Sequence, residues 1–203
     1  MFAKAGTKKL LTEKSMLGAI IGDIVGSVYE FDNTNYDYKI DEKVYVVGGN
    51  SETHVTINNK LSKFDDIFIA EMGAFKRGEI KELCDLVHPK YGILTRVGLA
   101  HLETFGSEEI IQHTKFELIE SLPEDGIGIL NGDDEKQLSY TIKNKCKVRW
   151  IGIDNKKVDF YAKDLELSHK GTKFKVKFKN EKEEYTFETK LLGRNNIYNI
   201  LAG

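Results

Sequence analysis

The chain has 203 residues, with 30 Lys and Arg against 32 Asp and Glu and a formal net charge of −2. That balance gives no electrostatic case for nucleic acid or an anionic membrane surface, and the length supplies one core with room for a small second lobe. Two cysteines, Cys84 and Cys146, are too few for a disulfide framework, and no metal-binding spacing flanks them, which is consistent with an intracellular, cytoplasmic domain.

The first 43 residues form an atypical amino-terminal segment. A basic stretch carrying Gly6, Thr7 and Lys8 opens it. An apolar run over 16–31 follows, with small residues at Gly18, Gly22 and Gly26. It is shorter than the roughly 18 residues a membrane span needs, Asp23 interrupts it, and it has no signal-peptide cleavage pattern, so a core helix is predicted there.

Three short apolar runs come next. Ile67-Phe68-Ile69-Ala70 leads into Glu71, Tyr91-Gly92-Ile93-Leu94-Thr95 leads towards His101, and Gly126-Ile127-Gly128-Ile129-Leu130 stops at Asn131-Gly132-Asp133-Asp134. Runs this short, separated by helix-length segments, predict buried parallel strands of an α/β sheet. Ligands bind beyond the carboxyl ends of such strands, so Glu71, His101 and Asn131 are expected to converge on one sheet edge.

Between them, Ile80, Leu83, Leu86 and Val87 recur at helical spacing before Pro89, predicting a helix over 79–87. Ser107 is an N-cap for a helix from 108 to about 122, with Glu108 and Glu109 placed for the helix dipole. Its stripe of Ile111, Leu118, Ile119 and Leu122 includes Lys115, whose ordinary reading is an ammonium snorkelled to the surface. From 146 to 190 the period changes to two. Phe174, Val176 and Phe178 alternate with lysines, Tyr185 and Phe187 alternate with Glu184 and Glu188, and a turn at 180–182 predicts a hairpin. The lysine row is expected to be a solvated face paired with those glutamates across the strands.

Taken in order, residues 66–95, 98–135 and 191–203 resemble the central ATP-binding domain of the Mur ligase family. Within that family they are similar to the branch that joins D-alanyl-D-alanine to UDP-N-acetylmuramoyl-tripeptide. The resemblance implies a P-loop or Rossmann-like α/β domain over 44–203, mainly parallel, flanked by helices and carrying a small antiparallel excursion near its end. It implies ATP and magnesium as cofactors, an acyl-phosphate intermediate, and a UDP-muramoyl peptide and D-Ala-D-Ala as substrates. Glu71 in the EMG motif and His101 in the AHLE motif would serve magnesium. Lys115 in the KFE motif would be carbamylated, giving magnesium a new anionic ligand, with Lys115 and His101 as the catalytic residues. Asn196 and Asn199 would contact adenine, with Asn195 where the family carries histidine, and Asn131 would take a nucleotide-side or structural role.

Two departures qualify that picture. The family's P-loop is reduced to Gly6, Thr7 and Lys8 in a stretch that resembles AGKTSTKKLLTE with residues missing. The 16–31 run resembles the opening helix of ADP-ribosylglycohydrolases, but the Thr-Asp-Asp-Thr motif of that chemistry is absent. The chain is expected to stop before the family's carboxyl-terminal domain and to be inactive alone. A non-catalytic remnant that binds nucleotide or a partner is the alternative, and glycohydrolase chemistry ranks last.

Overall fold

A computed structural model describes residues 36–41, 44–49, 67–98 and 102–203. The Gly6, Thr7 and Lys8 stretch, the 16–31 run and His101 lie outside the described residues. Two sheets carry the described fold. Strands β1 (Tyr36–Asp41), β2 (Val44–Gly49) and β3 (Ile67–Met72) form one, in that order. Here β1 and β2 are antiparallel, whereas β2 and β3 run parallel from Val44 opposite Ile67 to Gly49 opposite Met72.

The second sheet has the order β4-β5-β6-β7-β8-β9. Strands β4 (Tyr91–Leu94), β5 (Ile127–Asn131), β6 (Lys147–Gly152) and β7 (Phe160–Ser168) pair in parallel. Strands β8 (Gly171–Phe178) and β9 (Glu184–Thr189) then turn antiparallel. The α/β class and the antiparallel excursion expected from the sequence are therefore present. The expectation that all three apolar runs share one sheet is corrected: β4 and β5 are neighbours, but β3 ladders with β2. The run Val44-Tyr45-Val46-Val47 is rich in β-branched and aromatic residues and supplies the parallel partner that β3 needs.

The parallel strands are buried on both faces because successive side chains point to opposite sides. Leu94 and Leu130 face a core shared with Ile80, Ile111, Phe116 and Ile119. Ile93, Ile129 and Ile151 face a second core, built with Phe174, Val176, Ile197 and Ile200. Helices α1 (Glu79–Val87) and α3 (Glu108–Glu120) cover the first face, with the short α2 (Leu102–Phe105) between them. Helix α5 (Arg194–Ala202) covers the second.

Local chemistry places α3. The Ser107 side chain accepts from the Ile110 N–H at 3.3 Å, as the cap pattern predicts. Gly92 and Gly128 are partners in the β4–β5 register, and a Cβ on either would lie 3.1 to 3.2 Å from Leu118 or Ile119. Two adjacent missing side chains thus let α3 approach the sheet. The helix is covered on more than one side. Phe116, outside the predicted stripe, has 0% exposure, and its ring stacks on Tyr140 with centroids 3.8 Å apart. Burying such a ring fully contributes roughly 1.5–3 kcal/mol.

The hairpin carries the expected charge pairing. Lys177 lies opposite Glu184 and Lys173 opposite Glu188, and Glu184 accepts from Lys163 at 2.8 Å. Lys175 instead reaches Asp164 at 3.0 Å.

Candidate active site

At the carboxyl ends of β4, β5 and β6, three loops meet around Asn131-Gly132-Asp133-Asp134. Asn131 is 7% exposed, and its amide is used within the fold. Its Nδ2 donates to the Thr95 carbonyl at 3.1 Å, and its Oδ1 accepts from the Asp133 N–H at 2.9 Å. The Asn131 N–H donates to the Oε1 of Gln137, a wholly buried side chain, at 2.8 Å. These bonds tie Asn131 to the loop after β4 and to its own turn.

The paired aspartates face opposite neighbours. Asp134 caps α4 (Glu135–Leu138) through the Lys136 N–H and accepts from the Val97 N–H at 2.8 Å, fastening the loop after β4. Asp133 fastens the loop after β6, accepting from the N–H groups of Ile153 at 2.6 Å, Asp154 at 3.0 Å and Asn155 at 2.6 Å. It also accepts from the Tyr198 hydroxyl on α5 at 2.8 Å. Burial alone would raise the Asp133 pKa, but the three backbone donors and the hydroxyl outweigh it and hold the carboxyl below its ordinary value. The same contact works the other way on Tyr198. Burial first, and then the bond to Asp133, push its phenol up to about 12.

Helix α5 brings the asparagines of the Gly193-to-Asn199 segment to this edge. Arg194 in its first turn donates to Asp154 at 2.6 Å. Asn195 is exposed and Asn196 partly so, its Nδ2 donating to the Leu192 carbonyl at 2.8 Å. Asn199 is 2% exposed. It lies within the helix segment that buries Ile197, Ile200 and Leu201, whereas Asn196, the other asparagine expected at adenine, stays partly exposed.

Glu71 is an exposed residue of β3, opposite Gly48, and Lys115 is partly buried on α3. Because β3 belongs to the three-stranded sheet, Glu71 and Asn131 end strands of different sheets, and the expected single sheet edge is not formed by these two. The carboxylate of Glu71 is a hard oxygen donor suited to magnesium. Among the described residues, which exclude His101, no three His, Cys, Asp or Glu side chains group to hold a metal. The rest of the KFE motif is structural. Phe116 fills the core, and the Glu117 carboxylate accepts from the N–H groups of Gly78 at 2.8 Å and Lys81 at 3.0 Å, capping α1 from the neighbouring helix. Cys84 is buried, and burial pushes its thiol up to about 11, which keeps it protonated near neutral pH.

Sequence reasoning overlooked Asp133, Tyr198 and Glu117 as organising groups. A paired Asp after a parallel strand was the available signal for the first. Nothing local announced the other two.

A family profile described as the Mur ligase middle domain matches residues 12–203. The chain belongs to that family. The match runs through 16–31, the stretch that alone resembles a glycohydrolase helix. Among curated relatives, the UDP-N-acetylmuramoyl-tripeptide–D-alanyl-D-alanine ligase of Bacillus subtilis is 30% identical over 200 residues, 97% of this chain and 38% of the relative. Its Escherichia coli counterpart is 27% identical over 201 residues, 98% of this chain and 41% of the relative. The chain therefore spans about two fifths of the length of these Mur ligases. In structure, the MurF ligase of Thermotoga maritima in complex with ADP is similar, with a TM-score of 0.69 and 24% identity over 95% of this chain and 42% of that one. A MurF crystal structure from Acinetobacter baumannii gives 0.68 and 20%, over 97% and 40%. At these identities the structures establish the fold. Among the described residues, no helix is long and apolar enough to cross a membrane.

Proposed function

We propose that this chain is the nucleotide-binding centre of an ATP-dependent amide ligase of peptidoglycan precursor synthesis, one that joins D-alanyl-D-alanine to UDP-N-acetylmuramoyl-tripeptide. The observation that carries the reading is the family match over 12–203, together with relatives of that named activity aligned over 97% and 98% of this chain. Much of the catalysis in such a reaction is charge management: magnesium, when bound, would offset phosphate charge while the substrate carboxylate is activated, and the amine would then attack the acyl carbon with inorganic phosphate as the leaving group. In this reading Glu71 and His101 serve the metal, and carbamylated Lys115 adds an anionic oxygen donor. Asn196 reads the base, Asn131 and Asp134 hold the loop after β4 in place, and Gly6, Thr7 and Lys8 form the phosphate-side remnant. The isolated segment is proposed to bind nucleotide without turning it over.

Calorimetry with ATP and magnesium tests this. Binding in the micromolar range, lost in Glu71→Ala, is the expected result. A second reading, a non-catalytic remnant that docks on a partner, is favoured by one observation: the Gly6-Thr7-Lys8 stretch lacks the Gly-Lys-Thr order that brings a lysine to phosphate. No heat at millimolar ATP would overturn the first reading in favour of the second.

A further inference from the structure

The apolar face of α5, made by Ile197, Ile200, Leu201 and Ala202, sits in the second core. Apolar burial is non-directional, so this face alone leaves the helix free to rotate or slide by a fraction of a turn. Two polar pins remove that freedom. Arg194 and Tyr198 are four residues apart and therefore share one side of the helix. The first reaches Asp154 at 2.6 Å in the loop after β6, and the second reaches Asp133 at 2.8 Å in the loop after β5. Asp133 is itself fixed, because the backbone N–H groups of residues 153, 154 and 155 occupy the same carboxylate. Asn196 lies between the two pins along the chain.

We infer that Tyr198 is a positioning residue for base recognition: its bond to Asp133 sets the rotation of α5 and so the direction in which Asn196 presents its amide to a purine. The inference rests on the proposal that this chain binds ATP. It assigns Tyr198 no contact with the nucleotide. Its consequence is selective. A rotated α5 misplaces the group that reads the base, while the phosphate-side contacts stay where they are.

The test is calorimetric titration of the chain with magnesium-ATP and, separately, magnesium-GTP, alongside thermal unfolding without ligand. The unaltered chain is expected to prefer ATP. Tyr198→Phe, which removes only the hydroxyl, should weaken ATP by roughly tenfold, the lower end for a hydrogen bond to a charged group, and leave GTP unchanged. Arg194→Gln, at an exposed position that does not threaten folding, should narrow the ATP-to-GTP ratio in the same direction. Asn144→Ala is the control. Its Nδ2 donates to the Ile119 and Leu122 carbonyls near the amino ends of the strands, so it should lower the unfolding temperature without moving the ratio. An unaltered chain that prefers ATP and variants Tyr198→Phe and Arg194→Gln that keep the full preference would overturn the inference and leave the ATP-binding proposal standing. An unaltered chain that binds neither nucleotide would overturn both.

Discussion

The Tyr198 hydroxyl lies 2.8 Å from the Asp133 carboxylate, across 65 positions of sequence, and joins helix α5 to the loop after β5. Beside burial and the three backbone donors to Asp133, that contact adds to a lowered titration on one side and a raised one on the other, and stability follows each with its own sign. The Asp133 carboxyl is held below its ordinary value, so the folded state binds fewer protons there than the unfolded chain. Its contribution is present above the ordinary carboxylate pKa and is lost as pH falls through the lowered folded value. Tyr198 is raised from 10.0 to about 12, so its contribution is present below pH 10.0 and is lost as pH rises towards 12. Denaturant unfolding as a function of pH should show Asp133→Asn flattening the acid limb and Tyr198→Phe flattening the alkaline limb. A chain whose acid limb is unchanged in Asp133→Asn does not carry this coupling.

Gly132 is the tightest point of the same loop. A Cβ there would meet Val158 Cγ1 at 2.4 Å and the Ile151 carbonyl at 3.3 Å, while the Gly132 N–H donates to that carbonyl at 2.7 Å. Val158 is buried and stiff at χ1, so it cannot swing aside. Gly132→Ala should cost about 1–3 kcal/mol by overpacking. Because the clash is with one methyl, Val158→Ala should recover part of that cost, and a double-mutant cycle by urea unfolding would read the coupling. Additive losses would mean that the strain is taken by the backbone.

Much of this architecture was legible because its causes are local. Alternation announced the hairpin and its Lys177–Glu184 pairing, and Ser107 announced the start of α3. The apolar runs ending at Leu94 and near Leu130 announced two adjacent parallel strands. What escaped depends on partners distant in sequence. The pairing of β3 with β2 is parallel and non-local, so no turn signal fixes it. Counting one apolar stripe on α3 missed Phe116, since a helix covered on several sides has no single stripe. The burial of Asn199 was hidden for a related reason: a motif gives residue types in order but not which of them faces the core. Asp133 showed as half of an acidic pair, yet its work is to gather donors 20 to 65 residues away.

Phe116 gives the first helix-bearing core its sharpest test. It is fully buried against Tyr140, which also meets His113 edge-on. Phe116→Ala should destabilise by about 3–5 kcal/mol, the cost of lost transfer and of the cavity left behind. Ser107→Ala, which removes only the cap of the same helix, should cost about 1 kcal/mol. Equal losses from the two, by thermal or urea unfolding, would mean that the core around α3 collapses freely into the space left by the ring.

Asn131 poses the choice between a ligand-side and a structural role in a form that can be measured. Asn131→Ala leaves the Thr95 carbonyl without this donor and the Asp133 N–H without this acceptor. Each loss costs about 1–3 kcal/mol when the group stays dry. Together they should weaken the nucleotide-free chain by about 2–4 kcal/mol, since water recovers part of the loss. Asn131→Asp should be worse, because it keeps the acceptor but sets a carboxylate against the Thr95 carbonyl in a site with little access to water. If the side chain is structural, urea unfolding without ligand shows these losses in that order, and nucleotide affinity per folded molecule falls far less than in Tyr198→Phe. An unchanged nucleotide-free stability with a large loss of affinity would instead place the amide of Asn131 on the nucleotide.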